Sequence, residues 1–136
     1  RWEILASLKP EGVSILASTP YMDEVARTDR ACFMFGGRKL AEGTPQELTG
    51  LFEGTVYAAD TDPTPQLVSG VSAIEGVSAG RFGAALHVYL DRGLKLDAAA
   101  DKLRDAGLET DNLKSIEPDL EDVFIQQLNK QQGDRK

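Results

Sequence analysis

Asp23-Glu24, Glu121-Asp122, His87, Arg81 and Cys32 are the side chains whose types could do chemistry in this sequence. Spacing argues against most of it. Adjacent residues on a helix point about 100° apart, so Asp23 and Glu24 do not converge on one proton, and a solvated first helical turn suits them better. Glu121 and Asp122 have the same placement, so stabilisation of the final helix is favoured over a partner contact. His87 lies in Ala84-Ala-Leu-His-Val-Tyr-Leu90, where alternation groups it with Ala85 and Tyr89, opposite Leu86, Val88 and Leu90. With no second His and no Cys nearby, it is a poor zinc ligand. Arg81 stands among Gly76, Gly80 and Gly83, but this spacing matches no phosphate-cradling loop and reads as a connection between strands. Cys32, inside Ala31-Cys-Phe-Met-Phe35, is expected to be a small buried residue. No nucleophile, base and orienting group occur together, so this chain alone is not expected to be an enzyme.

The bulk properties narrow the classes further. The chain has 136 residues, 41% of them apolar, enough for one ordinary domain or a small domain plus part of another. Its net charge of −7 makes a nucleic-acid surface an improbable use. No apolar run reaches the length of a membrane span, and Arg1-Trp2-Glu3 lacks signal-peptide architecture. The single cysteine can form no internal disulfide and fits a reducing, cytoplasmic compartment.

The elements that must position these residues divide near residue 52. Trp2 to Leu8 has helical spacing, closed by Lys9-Pro-Glu-Gly12; Val13 to Ala17 reads as a strand covered on both faces. Thr19-Pro20 is expected to open a helix with Thr as cap and Pro at its first position, burying Met22, Val25 and Ala26. Arg30–Phe35 and Lys39–Glu42 flank Gly36-Gly37, a two-residue hairpin signal. Thr44-Pro-Gln-Glu47 is a capping box that starts a short helix to about Phe52. Beyond it come a strand at Thr55–Ala59, a turn at 60–65 and a short helix at 66–69. Two strands at Val71–Val77 and Ala84–Leu90 follow, then a helix capped by Asp97. A strand at Leu113–Ile116 precedes a helix capped by Asp119, with Leu120, Val123, Phe124 and Leu128 on one side and a frayed tail from Asn129. The order βαββαβ plus a terminal helix is that of a ferredoxin-like α+β sandwich.

Several motifs then converge on one family. Thr19-Pro20-Tyr21-Met22-Asp23-Glu24 is followed by Asp29-Arg30, by the Gly37-Arg38 turn, and by Gly43-Thr-Pro-Gln-Glu-Leu48. Near the C-terminus stands Leu120-Glu121-Asp122-Val123-Phe124. Together they resemble the part of an ABC-transporter ATPase that follows its Walker B strand, in the drug-exporter branch, with its appended C-terminal domain. The combination and its order make the resemblance specific, whereas residues 54–117 match by length and strand order rather than by letters.

The resemblance implies an α/β fold overall. Residues 1–52 would be the tail of a P-loop ABC ATPase domain, and residues 53–136 an appended ferredoxin-like interaction or regulatory domain. It implies a parent that uses ATP and Mg, couples their turnover to export, and sits peripherally at the cytoplasmic face of the membrane. There it would pair with a membrane-spanning subunit and with a second ATPase domain, in a homodimer or a fused tandem. The family's phosphate-sensing histidine falls at Pro20, which has neither a polar side-chain atom nor a backbone N–H, so the parent's site is expected to be degenerate there. The chain contains no Gly-x-x-x-x-Gly-Lys-Ser/Thr loop, no apolar run ending in Asp-Glu and no Ser-Gly-Gly signature. Negligible nucleotide affinity is therefore expected, with no cofactor or metal held by this chain. Ile15, Leu16, Phe33 and Phe35 are expected to lie exposed or in substitute packing. The alternative is a stand-alone, non-enzymatic ferredoxin-like module for ligand sensing or protein interaction, which leaves Thr19 to Leu48 unexplained.

Overall fold

A computed structural model describes residues 2–133 as a mixed α/β chain with two antiparallel sheets. Helix α1 (Trp2–Leu8) ends in a 3₁₀ turn over Lys9–Glu11, and Gly12 closes it at φ 85°. Residues 13–18 are irregular, correcting the expected strand at Val13–Ala17. Its alternating N–H and C=O groups find no neighbouring strand among the described residues, and without a ladder an apolar run is not held extended. Leu16 is fully exposed and Ile15 is 39% exposed. Helix α2 (Met22–Val25) begins after Tyr21, so Pro20 precedes the helix instead of occupying its first position. Thr19 still organises the entry: its Oγ1 accepts from the Tyr21 amide at 3.0 Å and donates to the Glu24 carboxylate.

Strands β1 (Ala31–Phe35) and β2 (Arg38–Gly43) form a hairpin around Gly36 and Gly37, both at positive φ (58° and 75°), the conformation a two-residue turn requires. A two-stranded ribbon covers one face only. Phe33 is buried at 4% exposure, while Cys32 and Met34 point to solvent, correcting the expectation that Cys32 is buried. Thr44 caps α3 (Pro45–Thr49), accepting from the Glu47 amide at 3.1 Å.

The second sheet contains β3 (Thr55–Ala59), β4 (Val77–Phe82), β5 (Ala85–Leu90) and β6 (Leu113–Ile116), in the order β4-β5-β3-β6 with every neighbouring pair antiparallel. Two helices, α4 (Pro65–Ser72) and α5 (Leu96–Asp105), contribute to its core. The expected strand at Val71–Val77 is displaced. Val71 is a buried helical residue, and the expected connection Ser78–Gly83 is instead strand, turning at Gly83 with φ 62°. Thr64-Pro65 repeats the cap of Thr44-Pro45 and extends α4 beyond the expected short helix; Thr64 Oγ1 accepts from the Leu67 amide. Asp97 lies inside α5, which Lys95 precedes, so it favours the first turn without capping it.

Helix α6 (Leu120–Gly133) runs through Asn129–Gly133, where a frayed tail was expected; residues 134–136 of that tail lie outside the described residues. The chain has two buried clusters. One holds Ala59, Val71, Val77, Leu86, Val88, Leu90, Ala99, Leu103 and Leu108 between the sheet and α4 and α5. The other holds Val25, Phe33 and Leu48 together with Leu120 and Val123 of α6.

Candidate functional site

The Leu120–Phe124 motif becomes intelligible one side chain at a time. Leu120 and Val123 enter the smaller core, and the Phe124 ring stacks on Phe33 with centroids 5.4 Å apart. Asp122 points the other way and is completely buried against the second sheet. Its Oδ1 accepts from the Tyr89 hydroxyl at 2.7 Å and lies 2.8 Å from His87 Nδ1. Its Oδ2 accepts from the Asp119 amide at 2.9 Å, while Asp119 Oδ1 accepts from the Asp122 amide at 3.0 Å, a reciprocal cap of the helix start. Burial, reinforced by the hydrogen bond to Asp122, pushes the Tyr89 phenol well above its ordinary range. It therefore stays protonated and donates. The His87 ring stacks on Phe82 at 3.9 Å, which fixes the imidazole plane.

Alternation of β5 explains why these two partners share a face: His87 and Tyr89 lie on one side of the strand, Leu86, Val88 and Leu90 on the other. Opposite His87 stands Gly80, where a methyl group would come within 3.1 Å of Ile125 Cδ1, so the missing side chain lets α6 lie close on the sheet. Gln126 completes the seat by bonding both backbone groups of Glu53, accepting from its amide at 2.9 Å and donating to its carbonyl at 2.7 Å.

Beside this seat the start of α6 meets the segment after Thr19 across an open groove of about 1040 Å³. Pro20, Tyr21, Asp23, Gln46, Asp119 and Glu121 are among its lining residues, and among the described residues no Lys or Arg lines it. Partial burial raises the Asp119 and Glu121 carboxyls above their ordinary values, and the neighbouring Asp122 charge adds to both shifts. Glu121 remains exposed at the surface, as does Asp23.

The structure thus gathers Thr19 to Glu24 and Leu120 to Phe124 around α6, while the other family-motif residues lie elsewhere. Asp29 pairs with Lys9 at 2.6 Å, Arg30 lies 3.6 Å from Glu42, and Gly37 and Gly43 belong to the hairpin. Nothing in the sequence singles out Tyr89, and the first-turn position of Asp122 suggests only that it stabilises the helix. The one signal of their pairing is that His87 and Tyr89 alternate onto the face opposite the apolar one. The Asp122 carboxylate is completely buried, accepts from Tyr89 and the Asp119 amide and faces the His87 ring, a set of contacts that orients α6 on the sheet. Among the described residues, no group of three or more His, Cys, Asp or Glu side chains could hold a metal ion.

The sequence of this chain is similar to those of several known proteins. A Nod factor export ATP-binding protein I from Neorhizobium galegae is 35% identical over 132 residues, covering 91% of this chain and 35% of that protein. The daunorubicin resistance ATP-binding protein DrrA3 of Streptomyces coeruleorubidus is 28% identical, covering 91% of this chain and 40% of that protein. The probable multidrug ABC transporter ATP-binding protein YbhF of Escherichia coli is 29% identical, covering 91% of this chain and 22% of that protein. No protein-family model matches. These relatives are ATP-binding proteins of ABC transporters, and the chain matches a C-terminal fragment of such an ATPase. It spans well under half the length of these relatives.

Proposed function

We propose that residues 1–52 complete an ABC ATPase domain and that residues 53–136 form its appended interaction or regulatory unit. The parent couples binding and hydrolysis of Mg-ATP to export, working at the cytoplasmic face with a membrane-spanning subunit and a second ATPase domain, as a homodimer or a fused tandem. The observation that carries this reading is the packing of Leu120 and Val123 onto Val25, Phe33 and Leu48. Motif residues far apart in the sequence share one core, as they would if they had been selected as parts of one machine. The order β4-β5-β3-β6, with α4 and α5 packed into the core of that sheet, supports a ferredoxin-like assignment for the appended unit.

In this reading Leu16, Ile15 and Phe35, all exposed, face the remainder of the ATPase domain. Among the described residues no helix is long and apolar enough to cross a membrane. Pro20 is exposed at the turn where the family's histidine would meet the γ-phosphate, and it can neither donate nor accept a proton there. The parent's hydrolytic site at this position is then degenerate or relies on other groups.

Mg-ATP titration calorimetry on this chain, beside the same chain extended upstream through a Walker A loop, tests the reading. Saturable binding by the extended protein alone is the expected result. Binding by neither would leave the ferredoxin-like sensing or interaction module as the better account.

A further inference from the structure

Helix α6 is seated on both sides by residues of its first turn, and this carries a consequence for how the two cores behave. We propose that Asp122 is a positioning residue that couples the β3–β6 sheet to the turn Thr19–Glu24, so that loosening the sheet contact is felt at that turn.

The coupling follows from geometry. Asp122 is completely buried and holds Tyr89, His87 and its own helix cap through one carboxylate. A buried carboxylate is tolerable only while its partners stay in place, so these bonds set the roll of α6 about its axis. Successive helical residues project about 100° apart. The same roll therefore fixes Val123, the next residue, in the opposite core, where it and Leu120 cluster with Val25 and Leu48. Met22 packs against that cluster too, and the α2 start is tied back to Thr19 by the Thr19–Glu24 and Thr19–Tyr21 hydrogen bonds. Gly80 beneath Ile125 and the Gln126 clamp on Glu53 prevent α6 from sliding instead of rolling. A continuous path of packed and hydrogen-bonded groups thus runs from β5 through α6 to the turn containing Pro20. Its meaning for an ATPase cycle rests on the function proposed above, whereas the coupling itself does not.

The test is amide hydrogen exchange on the intact chain, comparing the wild type with Tyr89→Phe/His87→Gln and with Asp122→Ala. Tyr89→Phe/His87→Gln removes the phenol and the imidazole that face Asp122 but keeps the aromatic ring that meets Phe52 at the edge of the smaller core, and it does not alter the turn. Exchange at Phe33, Leu48 and the α2 amides should accelerate about tenfold, the scale set by losing a hydrogen bond to a buried charge, while Val71 and Leu103 keep their protection. Acceleration confined to β5 and α6 would overturn the proposal. So would a uniform acceleration that includes α4 and α5, since that is general destabilisation. If Asp122→Ala fails to fold, Tyr89→Phe/His87→Gln alone decides. Failure of the ATPase reading would appear separately, in the calorimetry of the extended chain.

Discussion

The sheet core and the smaller core solve the same packing problem from different resources. Leu86, Val88, Leu90, Leu103 and Leu108 bury one another within a single stretch of chain, and two helices close the face they form. The smaller core has Val25, Phe33 and Leu48 from the first part of the chain and is completed by Leu120 and Val123 from its far end. In the first part of the chain Ile4, Leu16, Tyr21 and Met34 remain exposed. A region that closes its own core can hold its shape alone, while one that imports part of its core depends on whatever supplies it. Helix α6 is that supplier, and Asp122 anchors it to the self-sufficient side.

The sharpest way to break this comparison is a matched pair of truncations. Leu103→Ala and Leu48→Ala each remove a fully buried leucine, and each should cost about 2–5 kcal/mol locally. They should differ in reach. Leu103→Ala should lower the urea midpoint of the whole chain, because the platform under α6 is lost. Leu48→Ala should release the hairpin and α2 while the sheet amides stay protected. Equal reach in hydrogen exchange would refute the asymmetry.

Gly54→Ala tests the joint between the regions. Its φ is 93°, and an added Cβ would sit 2.1 Å from the Leu90 carbonyl oxygen, so the backbone must shift at the Thr55–Leu90 pairing. A loss of about 2–3 kcal/mol is expected from strained backbone and a disturbed ladder, read as a lower melting temperature. Full wild-type stability would mean that the start of β3 is looser than its register implies.

The smallest effect expected is electrostatic. Partial burial raises the Asp119 carboxyl above its ordinary 3.8, with the Asp122 charge contributing. The folded chain thus binds that proton more tightly than the unfolded chain. The stability this provides is full below the unfolded value and is lost as pH rises through the raised folded value. Asp119→Asn keeps a capping oxygen without the charge. It should match the wild type in acid and gain a few tenths of a kcal/mol at neutral pH, a small effect because solvent screens so exposed a group. Urea midpoints across this pH range would show it, and a variant weaker at neutral pH would contradict the assigned direction.

What the sequence determined by itself is the set of features whose partners lie within a few residues. Gly36-Gly37 dictates a tight turn, Thr44-Pro45 a capped helix, and Asp119 the start of α6, because each acts through its own neighbouring backbone. The alternation of Ala84–Leu90 likewise gave His87 and Tyr89 a shared face. Local signals compete at Val71, which is apolar enough for a strand, yet the Thr64-Pro65 cap upstream carries the helix through it. Cys32 is exposed although its run is apolar, because only one face of its ribbon is covered and the run does not reveal which. Only the tertiary structure decided the role of Asp122. Its sheet partners lie 33 and 35 residues away, and they meet it through the seating of a helix on a sheet face. Burial there converts a carboxylate that would be solvated on an isolated helix into the anchor between two cores, because removal from water makes its few hydrogen bonds obligatory.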